Sequence, residues 1–103
     1  MAQFDIYLNS GRDRKSFPYV MAVQSDLFDA TRSVVVIPLT SPANVEKIHP
    51  RFQPRITLAG EEWACVTQLL AAIPRAALGA RVGSAANDRH DIIAAIDLLF
   101  TGI

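Results

Sequence analysis

Ser33-Val-Val-Val-Ile-Pro-Leu39 is the stretch on which the fold turns. Three consecutive valines and an isoleucine lose side-chain freedom in a helix and fit a pleated sheet. With no polar residue alternating among them, the run predicts a strand buried on both faces. Pro38 has no N–H to give to a ladder, so a bulge or strand end is expected there. Toward the N-terminus, Phe4, Ile6 and Leu8 alternate with Asp5, Tyr7 and Asn9, which predicts a strand with one buried face. A polar turn, Ser10 to Ser16, joins it to a second predicted strand, Phe17 to Val23, in an antiparallel hairpin. The following loop, Gln24 to Arg32, is polar except for the adjacent Leu27 and Phe28.

Toward the C-terminus, a proline-bearing polar connection runs from Thr40 to Pro54. Arg55 to Leu58 and Trp63 to Ile73 then read as two strands about a turn at Gly60, although Gln68 to Ile73 taken alone also fits a helix. Pro74 and Gly79 break the pattern. From Asn87 the period changes to that of a helix: Ile92, Ile96 and Leu99 form one stripe, flanked by Ile93 and Phe100. Asn87 is the expected N-cap, with Asp88 and Asp91 in a first turn whose dipole favours them. Four or five strands and one C-terminal α-helix predict a mainly β chain, a small twisted sheet or open barrel with the helix packed on it.

The chain has 103 residues, half of them hydrophobic, which fits one domain over residues 1–103. Its uncharged apolar runs are far shorter than the roughly 20 residues of a membrane helix, which predicts a soluble protein with no membrane partner. Ten Lys and Arg balance ten Asp and Glu, so no chain-wide attraction to phosphate exists and direct nucleic-acid binding is not expected. A single cysteine, Cys65, forms no internal disulfide, and no leader pattern opens the chain, so a cytoplasmic location is expected.

Catalytic chemistry finds little support. Glu61 and Glu62 point to opposite faces if they lie on a strand, and Asp88 and Asp91 already have a role at a helix start. His90 stands one residue from Asp91 and two from Asp88, not the spacing that puts two metal ligands on one helical face. Cys65 reads as a small buried hydrophobe, Trp63 as a core residue, and Arg12, Arg14 and Lys15 as a solvated hairpin tip. No enzyme activity, metal or cofactor is expected. The tail is different: Leu98-Leu-Phe-Thr-Gly-Ile103 ends on an apolar residue. It either docks on its own sheet or, with Leu27 and Phe28, makes an apolar patch for a partner.

Val23-Gln-Ser-Asp26 with Asp29, Val36-Ile-Pro-Leu39, Gly60-Glu-Glu-Trp63, Ile73-Pro74, Asp91-Ile92, Ala95-Ile96 and the terminal Gly102-Ile103 follow one another in an order that resembles the CcdB family. These are toxins of toxin–antitoxin pairs. The resemblance implies a small SH3-like β-barrel of the kind shared by CcdB and MazF toxins, a homodimer, binding to the A subunit of DNA gyrase that traps the cleaved gyrase–DNA complex, and neutralisation by a CcdA-like antitoxin. It also implies that the gyrase-binding residues are Leu27, Phe28, Asp97, Phe100, Thr101, Gly102 and Ile103. Family members carry Trp where this chain has Thr101, and commonly Asn where it has Asp97. A stacked, desolvated Trp contributes on the order of 2 kcal/mol, so the contact is expected to be weakened. Two other readings stand beside gyrase poisoning: a non-toxic module that sequesters antitoxin, and a MazF-like endoribonuclease, which the neutral charge and lack of a catalytic constellation disfavour.

Overall fold

In the computed structural model, which describes residues 1–102, the valine run forms the eight-residue strand β3, Ser33–Thr40. Before it come β1, Asp5–Asn9, and β2, Tyr19–Ala22; after it come β4, Arg55–Leu58, β5, Glu61–Cys65, β6, Ala71–Pro74, and β7, Leu78–Ser84. One helix, α1, Arg89–Thr101, closes the described chain. All pairings are antiparallel, in the order β4-β5-β3-β2-β1-β7, and β6 adds to the first half of β3. The result is a curled antiparallel half-barrel with one C-terminal helix. Gly83 on β7 lies so close to β4 that a Cβ there would meet Leu58 Cδ1 at 2.5 Å, so the two ends of the strand order come together.

Strand β3 is buried on both faces, as its composition predicts. Ile37 and Leu39 join Phe4, Ile6, Met21 and Ile92 in the main core. Val34 and Val36 pack with Tyr7, Val20 and Ala22 on the opposite face. Each fully buried side chain of this size contributes about 1.5–3 kcal/mol. Trp63 packs against the main core edge-to-face with Tyr19, ring centroids 4.9 Å apart.

Several local expectations are corrected. Pro38 neither ends nor bulges β3: it pairs in register with Val20. Its carbonyl accepts from Val66 N at 2.9 Å. In a strand N–H and C=O of one residue face the same edge, so the missing donor falls where β3 changes partner from β6 to β5 and no ladder bond to β2 is lost. The predicted strand Trp63 to Ile73 is two strands, β5 and β6, separated by a 3-10 turn at Thr67–Leu69. Pro74 and Gly79 do not end the sheet, because β7 runs through Gly79, where a Cβ would meet the Leu8 carbonyl oxygen at 2.9 Å. Strand β2 is shorter than predicted.

The predicted one-sided alternation fails from Asp5 onward: Phe4 and Ile6 join the main core while Tyr7 packs in a second cluster on the opposite face. The pairing with β7 slips between Ile6 and Tyr7 and again before Asn9. Such irregularities re-aim side chains. Leu8 is 43% exposed, while Asp5, Tyr7 and Asn9 are buried. Ala59 and Gly60, at φ 52° and 81°, make the two-residue left-handed turn between β4 and β5 that suits a twisted hairpin. Asn87 is not the N-cap. It sits in a 3-10 turn, Ala86–Asp88, and Asp88 takes the cap position without a side-chain bond. Helix α1 docks through Ile92 and Ala95, its two buried residues. No described helix is long and apolar enough to cross a membrane.

Candidate functional site

Two exposed apolar groups stand where the sequence places candidate binding residues. The first is the 3-10 turn Asp26–Phe28, in which Leu27 is 81% and Phe28 55% exposed. Their exposure is built. Ser25 Oγ accepts from Leu27 N at 3.2 Å, and Asp26 Oδ1 accepts from Gln3 N. Gln24 Nε2 donates to the Phe28 carbonyl at 2.8 Å and to Thr31 Oγ1 at 2.9 Å, while its Oε1 accepts from Val35 N at 3.2 Å. Gln24, Ser25 and Asp26 thus support the turn and leave the two apolar side chains to solvent.

Arg75 is the brace that sequence reasoning missed. Its Nε donates to the Thr31 carbonyl and its Nη2 to the Phe28 carbonyl, and its Nη1 lies 3.8 Å from Asp29 Oδ1. The only signal in the sequence was its place after Ile73-Pro74; the pairing of Pro74 with Ser33 is what carries Arg75 to the loop.

The second group is the end of α1. Phe100 is 70% exposed. Asp97 and Thr101 share its face, one turn apart, and Thr101 Oγ1 donates to the Asp97 carbonyl at 2.7 Å. Gly102, left-handed at φ 72°, closes the helix, its N–H donating to the Leu98 carbonyl at 3.0 Å. Ile103 lies outside the described residues. Asp26 is linked through Gln3 to Arg89 Nη1 at the start of α1, and Phe100 lies farther along, roughly 16 Å by helical rise.

Glu62 pairs with Arg55 at 3.2 Å on the exposed face of the β4–β5 hairpin. Cys65 is fully buried, and burial, with the nearby Asp88 charge, pushes its thiol up to about 12. His49 is exposed, with Nδ1 accepting from Arg51 N at 3.2 Å. Among the described residues no three His, Cys, Asp or Glu side chains converge as metal ligands. Among the described residues the one buried side-chain carboxylate is Asp5, 3.1 Å from Arg81 Nε.

Comparison with known proteins decides the family. The family model for the CcdB protein matches residues 3–102. The chain belongs to the CcdB family. It is therefore a CcdB-type chain of the toxin–antitoxin class. Its fold is similar to that of Mycobacterium tuberculosis toxin MazF-mt6, at TM-score 0.75 and 17% identity over 93% of this chain and 95% of that one. It is equally similar, at TM-score 0.75 and 12% identity, to a mycobacterial endoribonuclease in complex with its cognate antitoxin, over 96% of this chain and 93% of that one. At these identities the likeness is one of fold.

Proposed function

We propose that this CcdB-family chain is a toxin that acts by binding rather than by catalysis, engaging the A subunit of DNA gyrase and trapping the cleaved gyrase–DNA complex. The observation that carries the reading is the exposed Leu27–Phe28 pair, fixed by Gln24, Ser25, Asp26 and Arg75, at the position the family uses. Phe100, Thr101 and Gly102, with Ile103 beyond them, supply the second contact. The chain acts in the cytoplasm as a homodimer, which brings two copies of each apolar group to one assembly, and a CcdA-like antitoxin neutralises it. Light scattering at micromolar concentration should give twice the chain mass.

Thr101 supports a second reading. With a small hydroxyl where the family carries Trp, the gyrase contact loses its stacking ring, and a chain that keeps antitoxin affinity would act as an antitoxin sink. A gyrase cleavage-trapping assay on supercoiled DNA, with the natural chain and Thr101→Trp side by side, separates the two. Linear, gyrase-linked DNA from both supports poisoning with Thr101 as an adaptation; from the variant alone, it supports the sink. Cleavage of RNA by the purified chain would overturn both.

A further inference from the structure

The chain enters β1 through a bend that its sequence does not favour. Asp5 N donates to the Ala2 carbonyl at 3.1 Å and closes a turn whose third residue, Phe4, has φ 70°. Glycine is usual there, and a bulky residue in that left-handed region is strained. The surroundings hold it. Phe4 N donates to the Ala22 carbonyl at 2.6 Å, and the Phe4 carbonyl accepts from Ala85 N at 2.8 Å. The ring is buried in the main core, with Arg89 Cζ 5.7 Å from its centroid. Strain of this kind persists only where neighbours over-determine it, and here the bend directs the residue just before Phe4.

That residue is Gln3. Its N–H donates to Asp26 Oδ1, its Nε2 donates to the Val23 carbonyl at 3.0 Å, and its Oε1 accepts from Arg89 Nη1 at 2.9 Å. One residue thus ties together the end of β2, the Asp26–Phe28 turn and the first residue of α1. No residue of the turn is buried, so core packing does not fix its place. A segment with so little burial opens locally at small cost unless polar bonds hold it. A partner that docks on Leu27 and Phe28 binds more weakly when it must first order them.

We infer that Gln3 is a positioning residue for the Leu27–Phe28 surface, clasping the turn to β1 and α1 so that it is formed before a partner arrives. Gyrase as that partner rests on the proposed function; the clasp itself does not. Amide hydrogen exchange on the free chain tests the clasp through the N–H groups of Phe28 and Asp29, which donate to the Ser25 and Asp26 carbonyls at 3.0 and 3.2 Å. Gln3→Met should speed their exchange at least about fivefold and leave the β2–β3 ladder unchanged. Gln3→Glu keeps an acceptor for Arg89 and should restore part of the protection. Arg89→Met should also speed exchange in the turn, and the double variant should fall short of the product of the two single effects, because both remove one bond. Binding to the isolated gyrase A subunit should weaken about fivefold or more in Gln3→Met and less in Gln3→Glu. Unchanged exchange at Phe28 and Asp29 in Gln3→Met overturns the proposal, as does acceleration throughout the sheet or a loosened turn with undiminished binding. A turn loosened by Gln3→Met in a chain whose wild type does not bind gyrase supports the clasp and removes the gyrase reading.

Discussion

The guanidinium of Arg81 on β7 holds the buried carboxylate of Asp5 on β1, Nε to Oδ2 at 3.1 Å, while Ala2 N donates to the same oxygen at 3.0 Å. Burial by itself would raise the Asp5 pKa, but the bonds from Arg81 and Ala2 and the positive charge outweigh it, and the net shift is downward from 3.8. A depressed carboxylate stabilises the fold above its unfolded pKa and loses that contribution as pH falls through the folded value. Arg81 is half-exposed, so solvent screens the pair. Arg81→Met should lower stability at pH 7, because Asp5 stays buried with fewer partners. Urea melts at pH 7 and pH 3 check this: the gap between wild type and variant should narrow on acidification.

Thr67 is fully buried and its Oγ1 has no hydrogen-bond partner among the described residues. An orphaned buried hydroxyl costs roughly 1–3 kcal/mol relative to an apolar group of the same shape. Thr67→Val should therefore stabilise the chain by about 1 kcal/mol, read as a rise in the urea midpoint with no change in slope.

Glycine at the two ends of β7 answers to different neighbours. A Cβ at Gly79 would meet Leu8 Cβ and the Leu8 carbonyl oxygen, both at 2.9 Å, and backbone cannot step aside. At Gly83 the obstacle is the tip of the Leu58 side chain, which can rotate. Gly79→Ala should cost about 1–3 kcal/mol and Gly83→Ala less, and Leu58→Ala should offset only the second in a double-mutant cycle.

Leu27 makes no buried contact, so Leu27→Asp should change folding stability by no more than about 0.5 kcal/mol. On the proposed function the same change removes an apolar anchor and should reduce gyrase trapping at least about tenfold. Thermal melts and the trapping assay on one preparation test both halves; a large stability loss would show that the side chain is packed.

The outline of the fold was legible in the linear sequence wherever one local rule dominated. The valine run could bury two faces only in a sheet, the 3.6-residue repeat of Ile92, Ile96 and Leu99 made a helix, and adjacent Leu27 and Phe28 in a polar loop stood out without any structure. The misses came where a partner strand overrode local preference. Nothing before Leu78 announces β7, because its two glycines serve close approach to Leu8 and Leu58, residues distant in the chain. The burial of Tyr7 follows from a second cluster on the opposite face of the sheet, built with Val20, Val34 and Val36, and Pro38 is harmless only because β3 changes neighbours there.

Composition and periodicity thus determined the mainly β architecture, the terminal helix and the exposed Leu27–Phe28 pair, since each depends on neighbours within a few positions. Tertiary structure alone decided that Arg75 braces the Leu27–Phe28 turn and that Gln53 meets Gln68. The Gln53–Gln68 and Arg75–Phe28 bonds join residues 15 and 47 positions apart. Chain closure over such spans is set by strand order and register, which no local pattern encodes.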